Sequence, residues 1–411
     1  MKKITTLIVL AVIAVAGCFA QVVPSGYYRV KNYGLENYGN SKGEKVQAYI
    51  FIDDDYYQIV TGSGTAQTFE QVHVWANNDA TAAANRDQIS SPASVIYVNN
   101  VSGNNYDLEG QGTGVHKLIG YYLTPTKESI ADDCYSVKGT AYGATVYLWT
   151  TYTKAANCYR CTTDATKANS IVAYRDWILE PISAESETSY FGVQPKFSYN
   201  NKYYAPFYAS FPFRTASSNM HVLYAKSASS TGTITFAEVE SDVIPANTPC
   251  LIECTSMNTK DNKIDILRGD YPAIEGNLLS GKLFCNTCIS LSKSENCRTA
   301  FDASTMRTWN ISSNKLVLSK ATNNLTIYNS EYFLNANESY LDVSKLPSEL
   351  QSRTSWSLSI PTFVGIDGIE ANEEAVAKTY YTLDGKQLSA PQPGMNIVKM
   401  SNGKVKKVMV R

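Results

Sequence analysis

Residues 26–32 read GYYRVKN, residues 94–100 read SVIYVNN and residues 133–139 read DCYSVKG. Each packs aromatic and β-branched residues into a short run with polar or turn-forming neighbours, the pattern of a β-strand. Further runs of the same kind lie between and after them: Gln47–Ile52, Tyr56–Val60, Val72–Trp75, Tyr121–Leu123, Thr145–Trp149 and Trp177–Leu179. Regularly spaced short strands imply a sandwich or a barrel. Three similar openings at unequal spacing suggest an irregular three-fold repeat, and residues 21–181 are expected to form a β-trefoil-like domain.

The pattern continues. Tyr203–Phe213 (YYAPFYASFPF) is a dense aromatic run, Thr233–Phe236 alternates, and Val243–Cys254 reads as a turn feeding a buried strand. Lys315–Leu318 and Tyr332–Leu334 are further strand runs. Residues 182–348 are therefore expected to form a second, β-sandwich-like domain. Residues 349–376, with Pro361, Gly365, Gly368 and the acidic stretch from Glu370 to Glu374, read as a linker. Residues 377–411 read as a short C-terminal β-module. The expected class is all-β.

Composition agrees. The chain has 411 residues, 44% of them hydrophobic and 18% charged, enough apolar material for packed cores. The formal net charge of −1 lacks the basic excess of a nucleic-acid binder. At the N-terminus, Lys2 and Lys3 precede an apolar run from Ile4 to Ala16 interrupted by Thr5 and Thr6. That run is too short to span a bilayer and reads as a secretory signal peptide over residues 1–20. Two processing readings stand. Cleavage can follow Ala20, or Val15-Ala16-Gly17-Cys18 can serve as a lipoprotein box with Cys18 lipidated. No later stretch is long and apolar enough for a spanning helix, so no transmembrane helix is expected in the mature chain.

The final segment holds seven basic residues after Ala377 and one acid, Asp384. Asp384-Gly385 reads as a hairpin turn. The run YYTLDGKQLSAPQPGMNIVKMSNGKVKKVMVR resembles the C-terminal sorting domains of proteins exported by the type IX secretion system of Bacteroidota. The likeness rests on Asp384 and Gly385 in the turn, then Pro391, Gly394, Ile397 and Val398, then Lys407, Val408 and Val410 in a last strand. It departs at Asn396, where an aromatic residue is more usual. The resemblance implies delivery to the outside or the outer cell surface, with the secretion machinery as a partner of the tail. Residues 26–181 loosely resemble ricin-like trefoil lectins, without their Gln-x-Trp sugar motif. Residues 175–345 are similar to surface proteins of Bacteroidota, a likeness that implies architecture and no activity.

Eight cysteines remain after cleavage at Ala20, and an even number in an exported chain permits four disulfides. Cys250, Ile252 and Cys254 alternate onto one strand face, so buried core thiols are an equal reading. The spacings Cys158/Cys161 and Cys285/Cys288 would suit zinc, but the pairs fall in different expected domains, and no metal or cofactor is expected. Asp53-Asp54-Asp55 reads as a solvated hairpin loop, since three adjacent acids cannot all face one ion. No His-Glu-x-x-His helix occurs, and the chain is not expected to be an enzyme. Tyr142, Tyr147, Trp149 and Tyr152 crowd one stretch and are the candidate platform for stacking a sugar. The expected function is that of an exported cell-surface binding protein with a glycan or host surface protein as ligand. The alternatives are a secreted hydrolase of polysaccharide or peptide with an unrecognised carboxylate pair, and a structural component of the surface layer.

Overall fold

The computed structural model describes residues 23–39, 43–60, 66–76, 87–111, 117–125, 134–141, 144–153, 158–164, 175–283, 305–313, 315–320, 335–363, 377–382, 385–400 and 405–410. The chain is all-β. The described residues up to Ser359 form one compact unit, and those from Ile360 onward form another.

The first ten strands are β1 (Gly26–Asn32), β2 (Ala48–Val60), β3 (Ala66–Ala76), β4 (Ile96–Ser102) and β5 (Asn105–Glu109), then β6 (Lys117–Pro125), β7 (Cys134–Ala141), β8 (Ala144–Thr153), β9 (Cys158–Asp164) and β10 (Asp176–Pro181). Six of them close a ring of antiparallel pairings, β1–β4–β5–β6–β7–β10 and back to β1. The β2–β3 and β8–β9 hairpins extend from this ring and pair with each other through β3 and β9. Alternation explains the inward face. In β5 only Tyr106 and Leu108 are buried, and they join Val30, Ile50, Val98, Val137, Trp177 and Leu179 in one core. Trp177 is fully buried, and its indole Nε1 donates to the Leu148 carbonyl at 2.9 Å. Gly103, at φ +55, turns β4 into β5. Asp53–Asp55 lie inside β2 and not in a loop; irregular register on both sides of Asp54 accommodates them in the strand.

The next thirteen strands are β11 (Phe191–Gly192), β12 (Phe197–Tyr199), β13 (Lys202–Phe207), β14 (Phe213–Thr215), β15 (His221–Ala228) and β16 (Thr233–Glu238), followed by β17 (Cys250–Cys254), β18 (Lys263–Ile266), β19 (Leu279–Lys282), β20 (Met306–Ser312), β21 (Lys315–Lys320), β22 (Glu338–Asp342) and β23 (Ser355–Ser359). Three form a small sheet, β11-β18-β14, and ten form a large one in the order β12-β13-β17-β15-β16-β23-β21-β20-β22-β19. Phe191, Phe213 and Ile264 of the small sheet share a core with Phe207, Val222, Cys250 and Ile252 of the large one. The large sheet curls. Phe197 near one end stacks on Trp309 near the other at 6.1 Å, and Ser339 Oγ donates to the Cys250 carbonyl at 2.7 Å. Asn200 and Asn201 both take positive φ in the β12–β13 hairpin, the conformation a two-residue type I′ turn requires.

The stretch read as linker, 349–376, contributes β23, which pairs parallel to β16 and antiparallel to β21. Its Ser-Trp-Ser-Leu-Ser alternation drives Trp356 into the interior at 0% exposure. Several bonds join the stretches on either side of residue 181. Tyr27 Oη donates to the Leu267 carbonyl at 2.8 Å, Asn337 Nδ2 to Gln111 Oε1 at 2.7 Å, and Arg268 pairs with Glu109 at 3.2 Å.

Cys134, Cys250 and Cys254 are buried thiols that form no disulfide, so four disulfides do not form. Burial pushes the Cys250 and Cys254 thiols well up, and the three side chains act as small core residues. Cys158 and Cys161 lie opposite Thr153 and Thr150 in an unbroken register, on opposite faces of β9. Cys285, Cys288 and Cys297 lie outside the described residues.

One buried carboxylate shapes the acid response. Glu338 accepts from Asn335 Nδ2 at 3.2 Å and lies 3.8 Å from Lys196 Nζ. Burial raises its pKa more than Lys196 lowers it, and the same desolvation holds Lys196 down. A carboxyl whose folded pKa exceeds its unfolded value gives the folded state an extra proton in the window between the two. Stability therefore falls as pH rises through that window. Glu338→Gln is expected to raise the urea midpoint at neutral pH and to leave it unchanged in acid below the unfolded carboxylate range. A lower midpoint at neutral pH would show that the Lys196 pair outweighs desolvation.

The C-terminal unit has four strands, β24 (Ala377–Tyr381), β25 (Gln387–Leu388), β26 (Gly394–Met400) and β27 (Val405–Val410), ordered β25-β24-β26-β27. Gly385, at φ +87, closes a turn in which the Thr382 amide donates to the Lys386 carbonyl at 2.8 Å. Asp384 lies outside the described residues. Val398 is buried, Ile397 pairs with Lys407, Asn396 with Val408 and Gly394 with Val410, and Pro391 is exposed. The departure at Asn396 has a local reason. Its buried amide accepts from the Gln392 amide and donates to the Gln392 and Gly394 carbonyls, which fixes the entry into β26.

Candidate functional site

An open groove of about 460 Å³ lies where β14, the start of β15 and the turn after β16 meet. The turn is held from both sides. The Ile244 amide donates to the Phe213 carbonyl at 2.7 Å, the Phe213 amide donates back at 2.9 Å, and the Val239 amide donates to the Val222 carbonyl at 2.8 Å. Ser241 Oγ bonds to both the amide and the carbonyl of Val243, which tightens the loop locally. Met220, Val222 and Ile244 line the groove at its base and are themselves almost wholly buried.

The rim is polar. Glu238, Glu240, Ser241 and Asp242 stand exposed on one side, with Arg214 and Thr215 on β14. Arg214 Nε donates to Asp265 Oδ2 at 3.0 Å, so its charge is already compensated. Glu238 Oε1 lies 2.7 Å from His221 Nδ1. Three carboxylates therefore face the groove beside one paired guanidinium. Carboxylates and hydroxyls held on an open rim can hydrogen-bond a hydroxyl-rich ligand, and the aliphatic base offers an apolar contact beneath it.

None of these residues was singled out by the sequence reading. The signal that marks them is Glu238-Val239-Glu240-Ser241-Asp242, three acids within five residues at the end of a strand run. The sequence-derived platform lies elsewhere, on β8. Tyr147 pairs with Lys138 and Asp164, Trp149 with Thr162, and Tyr152 with Tyr159. The register is unbroken, so positions 147 and 149 share one face of the strand and 152 takes the other. Tyr142 lies outside the described residues.

No helix among the described residues is long and apolar enough to cross a membrane. Comparison with known proteins finds no matching family model, no matching curated protein and no matching solved structure.

Proposed function

We propose that this chain is an exported, non-catalytic glycan-binding protein of the outer cell surface, with the groove beside Arg214 and Asp242 as a ligand site. The observation that carries the reading is an open groove with a hydrogen-bonding rim over a small aliphatic base. The leader over residues 1–20 and the sorting-like tail over residues 377–411 support export. The ring of six strands with hairpins after β1 and after β7 supports a β-trefoil reading of the first lobe, and the shared core of two sheets supports a sandwich reading of the second. A host surface protein is the other ligand class the same rim suits.

The test is a glycan array probed with the mature chain and with its Glu240→Gln/Asp242→Asn variant. Both positions are exposed, so the variant is expected to fold normally. The expected result is selective glycan binding that the variant loses by about thirtyfold, since each of the two exposed charge-assisted hydrogen bonds removed contributes roughly 1 kcal/mol. An array with no bound glycan would overturn the reading. Turnover of a bound polysaccharide would move the chain to the hydrolase class.

A further inference from the structure

We infer that the C-terminal sheet docks, through one open face, on a bilayer surface that carries anionic phospholipid headgroups. This goes beyond the glycan reading and does not rest on it. Strand register fixes which residues share the face. Tyr381, Ile397 and Lys407 stand in one row across β24, β26 and β27, and Thr379, Lys399 and Val405 stand in the next. Met395 lies two residues before Ile397 and so takes the same face. On the other face Asn396 and Val398 are buried. The open face instead leaves Met395 at 41% and Val405 at 55% exposure, with Tyr381 and Ile397 half-buried. Neighbouring apolar side chains left in water on one face mark an interaction surface.

The charge on that face selects the partner. Lys399 and Lys407 are exposed and have no ion-pair partner among the described residues. The described residues of this unit hold five lysines, Lys378, Lys386, Lys399, Lys406 and Lys407, and no acid. Lysines interleaved with apolar side chains suit a lipid surface. The methylene stem lies along its apolar neighbours while the ammonium reaches the headgroups. Met395, Ile397 and Val405 can then enter the boundary between headgroups and acyl chains. A sheet face is broad and shallow, so it fits a plane, whereas one extended acidic peptide would touch only part of it. A second copy of the same face is disfavoured, because it would set lysines against lysines.

The experiment sediments the full mature chain with vesicles of phosphatidylcholine alone and with vesicles of phosphatidylcholine mixed with phosphatidylglycerol. The mixed vesicles are expected to bind about thirtyfold more tightly, roughly fivefold for each of the two lysines brought to an anionic surface. The preference is expected to shrink as ionic strength rises, since exposed charges are screened. It is also expected to vanish in Lys399→Gln/Lys407→Gln. Met395→Ser/Val405→Ser is expected to weaken binding to the mixed vesicles about tenfold, because apolar area leaves water on docking. All four positions are exposed, so both variants are expected to keep the fold, which an unchanged urea midpoint checks. Equal affinity for the two kinds of vesicle, or a preference that the lysine variant keeps, overturns the inference. Binding that the serine variant leaves unchanged places the contact elsewhere and overturns it too. Soluble polyglutamate serves as the control. If it binds as tightly as the mixed vesicles, the face belongs to an acidic protein and the lipid claim falls.

Discussion

Arg29→Met is expected to lower the stability of the first unit by about 2–4 kcal/mol, since each buried acceptor left unsatisfied costs roughly 1–3 kcal/mol and relief of a buried charge offsets part of the loss. Arg29 is 1% exposed and lies in β1. Its Nε donates to the Gln88 carbonyl at 2.6 Å, and its Nη2 donates to the carbonyls of Tyr190 at 2.7 Å and Ile89 at 3.3 Å. Nη1 has no partner among the described residues. Burial pulls the guanidinium down to about 10, which still leaves it charged at neutral pH. One side chain therefore ties the first ring to the segment that opens the second lobe. Arg29→Lys is expected to do no better, because a single ammonium nitrogen cannot reach three carbonyls spread around a planar fork. Urea titration of both variants measures the effect. Unchanged midpoints would show that the junction is held by its other bonds, those of Tyr27, Gln111 and Arg268.

That junction marks where the sequence could be read and where it could not. Individual strands were legible because period-two alternation is local. Thr233–Phe236 alternates in the sequence, and in β16 Ile234 and Phe236 point inward while Thr235 stays exposed. The hairpin glycines were legible for the same reason, as with Gly385 in the tail. Neighbour order was not. β16 lies beside β23, more than a hundred residues later, and nothing in either run names the other. The stretch holding β23 looked like a linker because prolines, glycines and acids follow it, and its five-residue strand is too short to stand out. Arg29 sits in a run chosen for its resemblance to two others, and a lone arginine in a strand normally points to water. The Gln88–Ile89 carbonyls and the Tyr190 carbonyl take up its guanidinium, and neither segment adjoins β1 in the sequence.

The candidate site was less legible than the fold. Sequence reading favoured aromatic crowding on β8, because a ring is the strongest single-residue sign of sugar stacking. The groove depends instead on acids contributed by a turn and an arginine contributed by another sheet. Asp265 and Arg214 are distant in sequence and meet only because β14 and β18 pair. A site assembled from two sheets leaves no compact motif, and the alternating acids at 238, 240 and 242 are its one local trace.

A still larger single-residue effect is expected at Asn262. Its side chain is fully buried and uses every hydrogen-bonding group it has. Oδ1 accepts from the amides of Thr255 at 2.9 Å and Ser256 at 3.3 Å. Nδ2 donates to the carbonyls of Ser256 at 2.8 Å, Asn258 at 3.1 Å and Val193 at 3.2 Å. One amide thus folds the loop after β17 and pins it to the strand pair β11–β18. The loop is packed closely there, for a Cβ at Gly192 would lie 2.3 Å from the Thr259 carbonyl oxygen. Asn262→Ala strands two donors and three acceptors, and the expected loss is about 3–5 kcal/mol, allowing water to recover some of them. Asn262→Asp separates the two halves of the argument. The remaining oxygen still accepts from Thr255 and Ser256, but the second now faces three carbonyls and repels them, so the loss should match or exceed that of Asn262→Ala. The prediction is read by urea midpoint together with amide exchange at Thr255 and Ser256, whose protection should fall in Asn262→Ala and persist in part in Asn262→Asp. If Asn262→Asp were as stable as the parent at neutral pH, the carbonyl contacts of Nδ2 would contribute nothing, and the loop would be held by its two amide donors alone.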